Sequence, residues 1–149
     1  MKNKQDAEAI LSELKADEAV QKMKGFIQHG RVSTYEHCES VARLSDRINR
    51  RLSLNADTKT LLTGAMLHDF YLYDWHEAGD GSHRLHGFRH AKTASENAKK
   101  HFNVDENTSH VIMSHMWPLN PLRFPRSKEA WIVCIADKCV SLHETLFKR

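Results

Sequence analysis

The pair His68-Asp69 is the first feature of the sequence that suggests chemistry, because a largely apolar stretch, residues 61–67, leads directly into it. Burial of a carboxylate without a partner costs several kcal/mol. Asp69 must therefore turn out to water or meet a positive group inside the protein. Asp137 raises the same question, since it follows the six apolar residues 131–136.

Histidines supply further candidate ligands, and the chain has 11 of them. His37 lies one turn before an apolar helical stripe, His90 opens the segment HAKTASENA, and His115 ends an apolar run. With the pair and Asp137, the chain thus offers four imidazoles and two carboxylates. This set can hold two divalent ions with three protein ligands each if one group is shared, which leaves positions for water and substrate, as in catalytic sites. Nitrogen and oxygen ligands without thiolate suit iron, manganese, cobalt or zinc.

Helices must position these residues, because strand patterns are nearly absent and apolar residues recur at helical spacing. Two N-terminal helices are predicted over residues 5–14 and 17–28. A third begins at Ser33, whose spacing to Glu36 is that of a capping box. The pattern as a whole predicts an all-α fold, a single-domain helical bundle of about six to seven helices.

The later helices are predicted from caps and chain breakers. One covers about residues 89–102 and ends at Asn103, a residue that tolerates a left-handed backbone. A polar loop around residues 76–86 precedes it, and the prolines between residues 118 and 125 break the chain again. Candidate N-terminal caps are Asn55 or Asp57, Asp105 and Ser127.

Composition excludes several classes of function. The 149 residues are 40% hydrophobic and 28% charged, which fits one globular domain. The net charge of +3 is small and dispersed, so no stable nucleic-acid binding is expected. The longest apolar run is too short to span a membrane, and the N-terminus does not resemble a secretory signal. Three cysteines without a CxxC motif indicate reduced thiols, which predicts a cytoplasmic protein; a homodimer is left open.

The order of the candidate ligands resembles the HD superfamily of metal-dependent phosphohydrolases, which are all-α bundles named for an adjacent His-Asp pair. The segments GAMLHDF and IADK are similar to the family's settings for the pair and for its final aspartate. The resemblance covers about residues 29–145 and divides the chain into an N-terminal helical extension packed on the core, residues 1–28, and an HD-type domain, residues 29–149. Its ligand set is His37, His68, Asp69, His90, His115 and Asp137.

The resemblance also implies how the ligands are shared. A first ion is bound by His37, His68, Asp69 and Asp137, and Asp69 bridges to a second ion. His90 and His115 hold that second ion, and Asp69 and His68 are the catalytic residues. Iron or manganese is the favoured pair of divalent ions; cobalt, nickel, zinc and magnesium are the alternatives.

The implied reaction is hydrolysis of a phosphomonoester or phosphodiester by metal-activated water. The expected partner is a small phosphorylated substrate, with a nucleotide as the favoured class. Two alternatives stay open at this point. Some relatives with the same four histidines and two aspartates hold a di-iron centre and use dioxygen, and the fold could also be a nucleotide-sensing module without turnover.

Four residues are candidates for substrate binding. Arg123 and Arg126 flank the proline-broken loop and could clamp a phosphate, although exposed arginines are equally common. Lys138 follows the last aspartate and could neutralise a phosphate oxygen or pair with a carboxylate. His86 is an alternative to His90, which is preferred because the family's extra histidine typically opens a helix. His29 is expected to face solvent or a helix end.

Overall fold

The computed structural model describes residues 2–71 and 83–148, and side chains in the second range from residue 89 onward. Helices dominate the described residues, so the predicted all-α fold with about six to seven helices is confirmed. The helices are α1 (Lys2–Ala16), α2 (Glu18–Lys22), α3 (Thr34–Arg51), α4 (Thr58–Leu67), α5 (His83–Phe102), α6 (Glu106–Ser114) and α7 (Lys128–Phe147). A 3-10 turn (Met23–Gly25) and two antiparallel strands, β1 (Ile27–His29) and β2 (Val32–Ser33), connect α2 to α3.

The predicted caps are present and explain where the helices begin. Ser33 and Glu36 form both hydrogen bonds of a capping box at the start of α3. Side-chain oxygens of Asp57, Asp105 and Ser127 accept from backbone N–H groups at the starts of α4, α6 and α7. Asn103 has a φ of 51°, the left-handed backbone expected just after α5.

The predicted helix over residues 17–28 is wrong in its second half. The helix α2 ends at Lys22, and the chain then forms the short hairpin of β1 and β2. Gly30 allows the reversal because its φ is 56°, a conformation that glycine adopts without strain. Thr34 closes the hairpin by donating its backbone N–H to the Phe26 carbonyl at 2.7 Å. The hairpin therefore lies beside the start of α3.

The start of α5 also differs from the prediction. The helix begins at His83, so residues 83–86 belong to it and not to a loop. His90 consequently lies two turns inside α5 and does not open a helix, which was the reason for preferring it over His86. The local sequence around Gly87 has weak helix propensity, and this is why sequence alone started the helix too late.

The hydrophobic core joins the N-terminal helix to the later ones. Ala7 and Leu11 of α1 belong to the same buried cluster as Val41 of α3, Leu61 of α4 and Val133 of α7. The division of the chain at residue 28 remains a prediction. No helix in residues 2–71 or 83–148 is both long and apolar enough to cross a membrane.

Helices α4 and α6 approach each other closely at Gly64. A Cβ atom built on Gly64 would lie 2.5 Å from Cγ1 and 2.9 Å from Cβ of Val111. Any side chain at this position would force the two helices apart, so the glycine is needed for their separation. Gly64 precedes His68 by one turn, and Val111 precedes His115 by one turn.

Candidate metal centre

Two of the candidate ligands, His68 and His115, occupy the same local setting. They are the C-terminal caps of α4 and α6, respectively, and both are buried. The Nδ1 atom of His68 lies 2.6 Å from the carbonyl oxygen of Ala65, and Nδ1 of His115 lies 2.6 Å from that of Ile112. A carbonyl only accepts, so both Nδ1 atoms carry a proton and donate it. This leaves each Nε2 atom as the one able to bind a metal.

His37, in the first turn of α3, is oriented by a residue that the sequence analysis missed. Its Nδ1 donates to Oε2 of Glu144 at 2.8 Å, and Glu144 is only 1% exposed. A carboxylate behind a ligating histidine fixes the ring and raises its basicity. Glu144 lies two helical turns after Asp137 on α7, and this spacing was the available signal for placing both residues on one face.

The first cluster consists of His37, His68 and Asp137. Oδ1 of Asp137 lies 2.9 Å from Nε2 of His37 and 3.4 Å from Nε2 of His68. The two Nε2 atoms are 3.3 Å apart. All three side chains are buried, and they come from α3, from the end of α4 and from the middle of α7.

The second cluster consists of Asp69, His90 and His115. Oδ1 of Asp69 lies 3.3 Å from Nε2 of His90 and 3.4 Å from Nε2 of His115, and these two nitrogens are 3.0 Å apart. The other carboxylate oxygen of Asp69 faces the first cluster, at 3.3 Å from Nε2 of His68 and 3.7 Å from Nε2 of His37. Asp69 therefore lies between the two clusters, with one oxygen toward each.

A buried carboxylate oxygen without a hydrogen bond indicates whether a metal ion fits between these residues. Oδ1 of Asp69 is buried and makes no hydrogen bond within the described part of the chain, although two imidazole nitrogens lie nearby. Those contacts lack hydrogen-bond geometry, and at His115 the nitrogen presents a lone pair because Nδ1 holds the proton. A bound cation would satisfy this carboxylate oxygen. The two clusters thus suggest divalent metal binding by nitrogen and oxygen ligands.

The charges of the metal-free first cluster compensate one another. Burial lowers the pKa of His37, but hydrogen bonds to Asp137 and Glu144 outweigh it and raise the pKa to about 10. Burial likewise opposes the charge on His68, yet the neighbouring Asp69 carboxylate raises its pKa well above the ordinary value. Burial favours the neutral carboxyl of Asp137, but hydrogen bonds from His37 and His68 hold its pKa well below the usual range. The imidazolium charges of His37 and His68 therefore compensate the buried carboxylates beside them.

The second cluster behaves differently. Burial lowers the pKa of His115, and this outweighs the opposing effect of the nearby Asp69 carboxylate. The imidazole of His115 is therefore neutral at neutral pH and needs no deprotonation before it binds a metal. Burial would raise the pKa of Asp69, but the charge of His68 holds it well below the ordinary value, so the shared carboxylate is ionised.

A cavity of about 630 Å³ opens onto both clusters. Asp69, His90, His115 and Asp137 reach its surface, and one wall is formed by Met116, Pro118 and Leu119. His29 also lines it and stands edge-on to His37 with ring centroids 5.4 Å apart, so the expectation that His29 faces solvent or a helix end was wrong.

The hairpin contributes a second residue that the sequence analysis missed. Gln28 of β1 donates from Nε2 to Oδ2 of Asp69 at 2.8 Å, and its Oε1 accepts from the Tyr71 hydroxyl at 2.6 Å. Burial raises the pKa of Tyr71, so its hydroxyl keeps its proton. A strand of three residues has no sequence signature that separates it from a loop.

The four predicted substrate-binding residues lie in different places. Lys138 lines the cavity, with Nζ 3.1 Å from the His115 carbonyl oxygen and 3.2 Å from Sγ of Cys134. Arg123 lines a separate cavity between α5 and α6, and Arg126 is exposed where its backbone N–H donates to His110. The structure thus does not bring these two arginines to the clusters, because the proline-containing segment carries them past α6. The side chain of His86 lies outside the described residues.

Comparison with known protein families gives one match. The HD domain family matches residues 34–142, which is well over half of the chain. Neither the curated proteins nor the solved structures gave a significant match. The chain therefore belongs to the HD domain family, whose members are generally metal-dependent phosphohydrolases.

Proposed function

We propose that this HD domain protein is a phosphohydrolase with two divalent ions, which hydrolyses a phosphomonoester or phosphodiester of a small molecule. Iron or manganese is the favoured metal, and a nucleotide is the favoured substrate class. The single observation that carries the proposal is the position of Asp69, whose two oxygens face two separate clusters of imidazoles. A carboxylate in this position can bridge two ions, as two-metal hydrolytic sites require.

The ligand roles follow from the geometry. His37, His68 and Asp137 would hold one ion, His90 and His115 the other, and Asp69 would touch both. Divalent ions in such a centre act as Lewis acids, lower the pKa of bound water and offset charge on phosphoryl oxygens.

The chain's own groups would keep this centre rigid. Glu144 and the carbonyls of Ala65 and Ile112 hold the rings of His37, His68 and His115, so each Nε2 is directed inward before any ligand arrives. Such preorganisation reduces the reorganisation needed during reaction. Asp69 is a weak base because its pKa is held well below the ordinary value. Its main role is therefore to bind and orient the ions, with proton acceptance as the lesser one.

The cavity supports a small substrate. A volume of about 630 Å³ is within the range of small-molecule sites and can hold a nucleotide but not a folded polymer. The phosphoryl group would lie against the clusters, and a base or ribose would contact the apolar wall of Met116, Pro118 and Leu119. This arrangement favours substrates that join a phosphate to an apolar ring over inorganic polyphosphates.

The test is an activity panel on metal-reconstituted protein. Chelator-treated protein is loaded with Mn²⁺ or, without air, with Fe²⁺, and is offered nucleoside mono-, di- and triphosphates, cyclic nucleotides and simple phosphomonoesters. We expect phosphate or nucleoside release from at least one nucleotide, and no release with Asp69→Ala. Asp6→Ala, which removes an exposed carboxylate of α1, is the matched control and should stay active.

Two outcomes would contradict the proposal. Substrate-dependent oxygen uptake by the iron-loaded protein, without phosphate release, would assign the centre to an oxygenase. Tight nucleotide binding without product after hours in either metal would assign it to a sensing module.

A further inference from the structure

A residue outside the matched family region reaches the centre of the site. Gln28 lies in β1, before residue 34 where the family match begins. Its side chain extends to the shared carboxylate, with Nε2 2.8 Å from Oδ2 of Asp69. The hairpin thus adds a contact to Asp69 that the HD domain itself does not supply.

Chemistry fixes which way the Gln28 amide points. An ionised carboxylate accepts only, so the NH₂ end of the amide must face Asp69. The oxygen end then faces the hydroxyl of Tyr71 at 2.6 Å and that of Thr34 at 3.3 Å. Both hydroxyls can donate to it, and the opposite orientation would set two acceptors against each other. The Tyr71 hydroxyl and Gln28 therefore form a directed chain that ends on Asp69.

The hydrogen bond from Gln28 favours one orientation of the Asp69 carboxylate about its Cβ–Cγ bond. Oδ2 is held by Gln28 on the side of His68 and His37, and Oδ1 is thereby directed toward His90 and His115. A carboxylate without this contact can turn about its Cβ–Cγ bond, a broad torsion with little intrinsic preference. It could then place both oxygens on one ion and leave the other ion without a bridge.

We propose that Gln28 is a positioning residue that holds Asp69 in the bridging orientation and thereby couples the two metal sites. This inference rests on the two-ion centre of the proposed function. Gln28 is neutral, so it orients the carboxylate without competing for the cations. Tyr71 acts one step further away, by holding the oxygen end of the Gln28 amide.

The experiment uses Mn²⁺ alone, with metal-free full-length protein. Two Mn²⁺ ions joined by a carboxylate are magnetically coupled, and their electron paramagnetic resonance spectrum differs from the six-line spectrum of an isolated ion. Gln28→Met keeps the length of the side chain and removes the amide. We expect two coupled ions in the parent protein. In Gln28→Met we expect about tenfold weaker binding of one ion and loss of the coupled spectrum.

Two further variants separate positioning from general damage. Tyr71→Phe should weaken the coupled spectrum less than Gln28→Met does. Gln21→Met makes the same substitution in α2, where the side chain contacts the Lys15 carbonyl, and should leave metal binding and the spectrum unchanged.

The outcomes distinguish this inference from the proposed function. A parent protein that binds two coupled ions, together with an unchanged Gln28→Met, would overturn the role of Gln28 and leave the two-ion centre intact. A parent protein that shows no coupled pair at saturating Mn²⁺ would overturn both.

Discussion

The two clusters around Asp69 use the same ligand chemistry but are prepared for metal in different ways. In the first cluster, His37 and His68 are paired with carboxylates, and their pKa values are raised in the metal-free protein. In the second, burial lowers the pKa of His115, and Oδ1 of Asp69 has no hydrogen bond within the described residues. The imidazoles of the first cluster are thus charge-paired with carboxylates, whereas in the second the imidazole of His115 is neutral.

This difference lies in how each cluster compensates its buried charge. Helices α3, α4 and α7 all supply ligands to the first cluster and pack together in the main core. Buried charges there need compensation even without metal, and the protonated imidazoles provide it. In the second cluster, the imidazole of His115 is neutral and adds no buried charge of its own.

The largest expected effect comes from the residue that the clusters share. Asp69→Ala should abolish activity and remove both ions, because it deletes a ligand of each cluster. Helical content should fall only slightly, since the side chain packs against other polar groups and not in the apolar core. Metal analysis and circular dichroism measure the two effects. Full activity of Asp69→Ala on the true substrate would refute the two-cluster centre.

A substitution confined to the second cluster should remove one ion. His115→Ala is expected to lower the metal content from about two ions toward one per chain, because His90 and Asp69 alone make a poor site. His143→Ala removes an exposed histidine of α7 and is the matched control. A content of one ion in both variants and in the parent would show that the centre is mononuclear.

The carboxylate behind the first cluster should matter less than the ligands. Glu144→Gln keeps a hydrogen-bond acceptor near His37 but removes the charge, so the first site should bind metal about tenfold more weakly. The His115→Ala background isolates this site for titration with Mn²⁺. Equal affinity with and without Glu144→Gln would mean that Glu144 serves only the packing of α7.

A further expected effect is the pH dependence of metal binding at the first site. Hydrogen bonds to Asp137 and Glu144 raise the pKa of His37 to about 10, so a metal must displace a proton from this imidazole. The first site's affinity should therefore increase as pH rises from 6 to 9, by at most about tenfold per unit for each proton displaced. Calorimetry in buffers of different ionisation enthalpy, on His115→Ala, counts the released protons. Metal binding without proton release would contradict the protonated state of His37.

The sequence predicted those parts of the site that depend on local patterns. His68-Asp69 and Asp137 stand out because each follows an apolar helical stretch, and the caps of α3, α4, α6 and α7 depend on neighbouring residues only. Arg123 and Arg126 could not be placed in this way, since their direction depends on the path of an irregular segment.

Sequence analysis did not identify the residues whose contacts join positions far apart in the chain. Glu144 meets a histidine 107 positions away, and Gln28 meets an aspartate 41 positions away. The residues next to Gln28 give no sequence signal for this contact, because β1 is too short to show an alternating pattern. Glu144 was more accessible to prediction, because its helical spacing to Asp137 was visible.

The close contact between Gly64 and Val111 affects the distance between two histidines of the candidate metal centre. Gly64 lies four positions before His68, and Val111 lies four positions before His115. The ring centroids of these two candidate ligands are 4.7 Å apart. A helix is stiff over one turn. The distance between α4 and α6 at this crossing therefore helps to determine the distance between the two imidazole rings. The absence of a side chain at Gly64 thereby helps to set the distance between His68 and His115, on the two sides of the Asp69 carboxylate.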